Sequence, residues 1–383
     1  MSGLGHAAQV AGEVTRRVGA RLSDVVDLMG EMVRIDSGFD NPAGVSEVER
    51  ILADALADLP GANVEWRSEG GFDHVAVTLG DGPVNVAILG HADTVFPRGT
   101  AAARPMHVDG EGVAYGPGVA DMKGGLAMAI HVIRALAEMG ECPRVHFVVV
   151  GDEETRTTAP PFIDLLSTAD ACMVLECGRP DGGYVVHRKA GMWLRLNARG
   201  RSAHAGVQPD QGTSAIVGLC EAVVDVAALH RARPELTVSI GTIQGGSAPN
   251  VVAAEAWADA DIRSFSEADL DWVRGAIGDI CAKRNVDVVP LGDWPPMLPD
   301  PVLSADYSRL GKEASVVLRE VSTGGMSDGC WTAAAGVPTI DGVGPEGGDD
   351  HSPDEFVDVK TVPVRAGLLA GLIVATTKRE VEE

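Results

Sequence analysis

The sequence predicts an α/β fold in two unequal parts. A mixed, mainly parallel sheet covered by helices carries a smaller, inserted α+β unit. Three observations point to this. Up to about residue 189, short apolar runs alternate with helical patterns, the rhythm of a helix-covered parallel sheet. From about 189 to 298 the pattern becomes strand–helix–strand–strand–helix–strand, a split unit that makes a four-stranded antiparallel sheet with two helices on one face. Beyond Pro295-Pro296 and Pro299-Asp300-Pro301 the first rhythm resumes. A chain of 383 residues exceeds one ordinary domain. The expected division is therefore 1–188 and 299–383 for the large domain and 189–298 for the insertion.

The elements follow in order. Residues 12–34 and 44–59 carry apolar side chains at helical spacing: Val25, Leu28, Met29 and Met32, then Val48, Ile51, Leu52 and Leu56. Alternation near 63–66 and 74–79 predicts half-buried strands. Val84–Leu89 reads as a buried strand ending in Gly90-His91-Ala92-Asp93-Thr94, and Pro105–Gly118 as loop. Asp121-Met122-Lys123-Gly124-Gly125 is expected to open a helix running to about Met139, with Asp121 as its N-cap. A strand at Val145–Val150, a short helix near 160–167 and a strand at Ala171–Leu175, ending at Glu176, complete the first part. The insertion reads as strands 191–199, 236–243, 251–264 and 285–291 with helices 212–230 and 267–284. Helices 304–320 and 327–335, a strand Val337–Ile340, a Gly-rich loop to His351 and a helix 360–378 close the chain.

Composition narrows the class. Apolar residues at 45% supply a full core, and 47 Gly with 22 Pro suit tight loops between short elements. A net charge of −24 argues against nucleic acid and anionic membrane surfaces as partners. No apolar run approaches the ~20 residues of a membrane span, and residues 1–34 mix charges into a helical pattern rather than forming a signal segment. The six cysteines show no Cys-x-x-Cys spacing. A soluble, cytoplasmic protein with free thiols is expected.

The chemistry gathers at strand ends. Val145–Val150 closes in Gly151-Asp152-Glu153-Glu154-Thr155, with adjacent carboxylates where open α/β sheets bind ligands. Two neighbouring glutamates repel one another and resist desolvation unless a cation neutralises them. His91 follows another strand with Asp93 two residues on, well placed to hold the second ring nitrogen of a metal-binding imidazole. Asp121 can cap a helix and also bridge two cations. Glu176 and His351, in His351-Ser352-Pro353-Asp354-Glu355, add a carboxylate and an imidazole. Singly, these are an acidic turn, a surface His-x-Asp, a helix cap and surface side chains. Jointly they suggest a two-metal hydrolase whose nitrogen and oxygen ligands suit zinc, with cobalt or manganese as substitutes. Of Glu153 and Glu154, one is expected to bind metal and the other to take a proton from the attacking water.

The ordered series His91-Ala92-Asp93, Gly118-Val119-Ala120-Asp121-Met122-Lys123-Gly124-Gly125, Asp152-Glu153-Glu154, Glu176 and His351 resembles one metallopeptidase family. That family includes glutamate carboxypeptidase (carboxypeptidase G), acetylornithine deacetylase and succinyl-diaminopimelate desuccinylase. The resemblance spans residues 20 to 375 or so. It implies two divalent ions, zinc first, with His91 and Glu176 on one, Glu154 and His351 on the other, and Asp121 bridging. Glu153 would be the general base and Asp93 the residue orienting His91. The insertion would be a lid and dimerisation domain. There, Ser202-Ala203-His204-Ala205-Gly206 resembles the segment whose His stabilises the tetrahedral intermediate. Pro249-Asn250-Val251 and Asp261-Ile262-Arg263 resemble segments whose Asn and Arg hold a substrate carboxylate.

The implied activity is hydrolysis of an amide next to a free α-carboxylate, glutamate-carboxypeptidase-like, on a small N-acyl amino acid or short peptide, by a homodimer. An N-acyl-amino-acid deacylase or dipeptidase of the same family is the alternative. An inactive metal-binding scaffold is disfavoured, because Glu153, all five implied ligands and His204 are kept. Two departures bear on the branch. The first motif has no neighbouring Cys, unlike indole-acetyl-amino-acid and related aminoacylases, and Glu176 rather than Asp leans towards glutamate carboxypeptidase. Cys330 stands where relatives often carry Asn, and Cys177 beside Glu176 reads as a buried thiol.

Overall fold

A computed structural model describes residues 3–378. The chain forms two compact units. One takes the chain up to His187, Met297–Ser322 and everything from Ser327 on; the other takes Arg188–Pro296 with Thr323–Met326.

The first unit is built on a six-stranded sheet in the order Asn63–Glu69, Phe72–Leu79, Arg144–Val150, Asn85–His91, Ala171–Val174, Thr339–Ile340. The last four strands run parallel, and the first two form an antiparallel hairpin on their flank. The apolar runs are continuous because both faces are covered. Val86, Ile88, Val145, Phe147 and Val149 point into one core. Ala87, Leu89, Val148 and Val150 point into another, with Phe162 and Leu166. Helix Gly124–Met139 and the closing helix Val362–Lys378 fill the first core.

The closing helix lies against the first, Gly3–Ala20. A Cβ at Gly367 would stand 2.0 Å from Thr15 Oγ1 and 2.5 Å from Ala11 O, so only glycine permits this approach. Against the expectation that no run approaches the length of a membrane span, Val359–Thr377 is long and apolar enough, by length and composition, to cross one. Most of that stretch is buried inside the unit, so the core accounts for its apolarity.

Strand register aims the chemistry. His91 pairs with Val150 and Leu89 with Val174, so three parallel strands deliver their following loops to one edge of the sheet. A second small sheet, absent from the sequence reading, lies in what read as loop. Gly347–Gly348, Phe356–Asp358, Val113–Tyr115 and His107–Val108 pair in that order. Its strands of two or three residues are too short to show an alternating pattern. They nevertheless fix the turns on either side, 116–123 and 349–355.

Two further expectations need correction. Asp121 does not cap the helix that follows. That helix begins at Gly124 with Lys123 in the cap position, and Asp121 (φ −120°, ψ 86°) belongs to an irregular turn. The helix expected over 304–320 is Pro301–Glu313, capped by Asp300, whose carboxylate accepts from Val302 and Leu303 N–H. It stops because Ser315 turns into left-handed backbone (φ 56°). Val316, Val317 and Leu318 prolong the apolar pattern without prolonging the helix, and Arg319–Thr323 becomes a strand paired with Gly183–Arg188, which the sequence reading left unassigned.

The second unit is an antiparallel sheet in the order Thr237–Gly245, Glu255–Ser264, Ala190–Arg199, Val286–Trp294. Met192, Leu194, Leu196 and Ala198 alternate into its core with Ala256, Ala258, Ala260 and Ile262. Helices Ala215–Ala227 and Glu267–Ala282 cover that face, and each starts at a serine, Ser214 and Ser266, that caps it through its hydroxyl.

Candidate active site

Asp121 stands at the centre. Its Oδ1 is 2.9 Å from His91 Nε2 and its Oδ2 is 3.0 Å from His351 Nε2. Glu176 Oε1 lies 3.8 Å from the His91 ring nitrogen. Glu154 Oε1 lies 3.3 Å from that of His351. The five side chains thus form two groups that share Asp121: His91, Asp121 and Glu176, and Asp121, Glu154 and His351. Within each group the ligand atoms lie within 4.8 Å of one another.

Each of these side chains is held by its own segment. His91 ends its strand, and its Nδ1–H donates to the Asp93 carbonyl at 3.0 Å. That leaves a bare lone pair on Nε2, facing a carboxylate oxygen. Such a contact is stable only with a further proton on the ring or a cation close by. Burial alone pulls the His91 proton affinity down, but the carboxylates of Asp121 and Asp93 raise it well above that of an ordinary histidine. His351 sits in a turn with left-handed backbone (φ 62°). Its hydrogen bond to Asp121 and the nearby Glu154 carboxylate push its pKa up to about 11.

Asp93 serves twice, because its buried carboxylate accepts the backbone N–H groups of Glu153 (3.1 Å) and Glu154 (2.9 Å). It therefore fixes the acidic turn to the His91 segment. The Glu153 carboxyl is driven well above the usual carboxylate range, first by burial and then by the negative charges of Asp328, Glu154 and Asp93, against the pull of His91.

Two residues that the sequence reading did not weigh complete the scaffold. Glu355, inside the quoted His351–Glu355 segment, is buried and accepts from the N–H groups of Gly118 (3.0 Å), Ala120 (2.9 Å) and Asp121 (3.0 Å). It ties the Asp121 turn to the His351 turn, and burial lifts its pKa to about 7. Lys123, also buried, donates from Nζ to the carbonyls of Met32 (3.1 Å) and Ile35 (3.2 Å). Their proximity in sequence to Asp121 and His351 was the only available signal.

The donor set fits divalent cations. Two imidazole nitrogens and three carboxylates converge on one spot. Among the described residues, buried Glu154 Oε1 has no hydrogen-bond partner, an orphan that a cation would satisfy. Zinc, cobalt and manganese all accept such nitrogen and oxygen ligands.

His204, Asn250 and Arg263 belong to the second unit. His204 is exposed, and its Nδ1 accepts from Gly206 N–H at 3.1 Å. Its segment pairs with the one carrying Asn250, through a bridge between His204 and Val251 and an Ala205 N–H bond to Asn250 O of 3.0 Å. Arg263 is engaged: Nε and Nη2 donate to Asp261 at 2.9 and 2.8 Å, and Nη1 donates to Gly324 O at 2.9 Å.

Known proteins resemble this chain along most of its length. Residues 87–375 match the pattern of Peptidase family M20/M25/M40. The chain is 26% identical over 371 residues to carboxypeptidase G2 of Pseudomonas sp. strain RS-16, covering 91% of this chain and 88% of that one. It is 22% identical over 390 residues to an acetylornithine deacetylase of Photorhabdus laumondii, covering 92% and 97%. An M20 family metallo-carboxypeptidase of Sulfolobus solfataricus shares the fold, with a TM-score of 0.75 at 15% identity over 92% of this chain and 99% of that one. The chain belongs to peptidase family M20/M25/M40 and is a hydrolytic enzyme.

Proposed function

We propose that the protein is a two-zinc hydrolase that cleaves an amide next to a free α-carboxylate, in the manner of a glutamate carboxypeptidase. One observation carries the reading: both oxygens of Asp121 face a histidine Nε2, at 2.9 and 3.0 Å, with a further glutamate on each side. His91 and Glu176 would hold one ion, Glu154 and His351 the other, and Asp121 both. Bound there, the ions supply Lewis acidity at the scissile carbonyl and lower the pKa of the attacking water towards ~7.

The chain's own groups do the rest. Asp93 keeps the His91 Nε2 lone pair free and aimed by holding Nδ1–H, and Glu355 holds the Asp121 backbone. Glu153 takes the proton of the attacking water and passes it to the leaving amine. A carboxyl with raised proton affinity is suited to both halves of that transfer. His204 donates to the developing oxyanion. Asn250 and Arg263 bind the substrate carboxylate, Arg263 through the one N–H on each terminal nitrogen that Asp261 and Gly324 leave over.

The second unit is also the proposed homodimer surface. Strand Thr237–Gly245 is an edge, and Ile243, with Val217 and Val224 on helix Ala215–Ala227, is exposed. The names of the relatives, carboxypeptidase G2 and acetylornithine deacetylase, support a small N-acyl amino acid or short peptide as substrate.

The test is hydrolysis by the zinc-loaded protein of a panel with one fixed acyl group and varied amino acids, with α-amides beside the free acids. Cleavage of the free acids alone, with preference for glutamate or aspartate, is expected. Equal cleavage of the amides would overturn the carboxylate clamp in favour of an N-acyl-amino-acid deacylase.

A further inference from the structure

Two residues beyond Glu154 stands a buried cation that the proposed hydrolysis does not use. The Arg156 side chain is 8% exposed, and all three guanidinium nitrogens have partners. Nε donates to Thr158 O at 3.0 Å. Nη1 donates to the Asp152 carboxylate and Nη2 to that of Asp328. Both carboxylates are nearly as buried, at 9% and 7%. Among the described residues, Asp328 Oδ2 has no hydrogen-bond partner, and Arg156 is paired with the other oxygen, Oδ1. A planar fork between two buried carboxylates fixes direction as well as charge, which a lysine ammonium does not.

The clamp encloses Glu153 and Glu154. Thr155 N–H and Arg156 N–H both donate to Asp152 O, at 3.2 and 2.9 Å, making one tight turn with the two glutamates at its centre. The Arg156–Asp152 pair braces that turn across its ends. The Arg156–Asp328 pair ties it to a segment 172 residues away in sequence. That segment is itself rigid: Ser327 Oγ donates to Asp341 Oδ2 at 2.6 Å and accepts from Gly329 N–H at 3.1 Å. Asp93 grips the turn from the other side through the glutamate N–H groups. The backbone of Glu153 is thus held at both ends, and Arg156 supplies the second grip.

We propose that Arg156 is a positioning residue for hydrolysis: clamped between Asp152 and Asp328, it sets where the Glu153 carboxylate stands without touching substrate or metal. This rests on the reading of Glu153 as general base. Displacement of a catalytic group by about 1 Å costs on the order of 10²-fold in rate, and that is the effect at stake.

The experiment compares Arg156→Met, Arg156→Lys, Asp328→Asn and the Arg156→Met/Asp328→Asn double variant of the full chain, with Glu153→Ala alongside. For each it reads kcat, KM, zinc bound per chain and melting temperature. Arg156→Met is expected to lose about 10²-fold in kcat with KM within about threefold of wild type and zinc content unchanged. Arg156→Lys recovers part of the loss, since the charge returns without the fork. The double variant is no slower than Arg156→Met alone, because both substitutions break one clamp.

A folded, zinc-loaded Arg156→Met protein with wild-type kcat overturns the proposal, as does a loss confined to zinc content or melting temperature. If Arg156→Met does not fold, Asp328→Asn decides: a fall of about tenfold in kcat is expected, and unchanged kcat overturns. Glu153→Ala separates the two readings. Full activity there removes the general base itself, whereas an inactive Glu153→Ala beside an unaffected Arg156→Met removes only the clamp.

Discussion

The two units present their candidate functional groups in opposite ways. In the first, the candidate site residues are braced by their neighbours. Asp93 holds His91, Glu153 and Glu154, Glu355 holds Asp121, and Arg156 closes the acidic turn. In the second, His204 and Asn250 are exposed on irregular segments, and Arg263 is paired with its own neighbour, Asp261. The difference follows from chemistry. Carboxylates and imidazoles gathered so that their ligand atoms lie within 4.8 Å of one another need a rigid, pre-organised frame that leaves nothing to reorganise during reaction. Groups that meet a variable substrate must stay open to solvent until it arrives.

The comparison breaks first at Glu153. Glu153→Ala should lower kcat by about 10⁴-fold, the upper range for a general acid–base group, while zinc content stays at the wild-type level. Turnover near wild type would end the proposed role. Next is the frame. Asp93→Ala removes the acceptor for two backbone N–H groups and should weaken zinc binding by about 10- to 100-fold in competition with a chelator. Unchanged affinity would mean that the turn holds itself.

On the open side, Arg263→Ala should cost about 20-fold in kcat/KM on free-acid substrates, the weight of a charge-assisted hydrogen bond or two, and narrow the preference for free acid over matching amide by the same factor. An equal loss on both would make Arg263 structural.

The smallest effect concerns stability. Glu49 is fully buried, with neither oxygen partnered among the described residues, and burial, aided by Asp73, Asp93 and Asp152, raises its pKa to about 10. The folded protein therefore keeps a proton there that the unfolded chain releases above its ordinary carboxyl pKa of about 4.5. Stability falls as pH rises through that window, and Glu49→Gln removes the fall. The variant should gain about 2 kcal/mol on wild type at pH 6 and nothing near pH 4 in urea unfolding. A gap that widens towards acid would reverse the sign and refute the assignment.

Much of this was legible in the sequence, for a physical reason. A buried parallel strand writes a continuous apolar run, and a polar side chain at its end stands next to that run, so His91, Glu153, Glu154 and Glu176 stand out as candidates. The split unit was equally plain, because Met192 to Ala198 and Ala256 to Ile262 alternate over full-length strands. What stayed hidden depends on partners far along the chain. Glu355 meets backbone N–H groups 234 to 237 residues away, and Arg156 meets a carboxylate 172 residues away. One Glu or Arg in a loop carries no local mark of such a contact. Asp121 misled in the opposite direction. Its position before a helix is that of a cap, yet its side chain turns to the two histidines, where the electrostatic demand is greater.

The central claim is that Asp121 is shared between two metal ions. Its most direct test is the number of zinc ions bound per chain at saturation, by wild type and by Asp121→Ala, with metal analysis of the dialysed protein. Two per wild-type chain, falling below one in the variant, is the result expected of a common ligand. A wild-type chain that saturates at one, or an Asp121→Ala chain that still binds two, would contradict the shared carboxylate and the mechanism built on it.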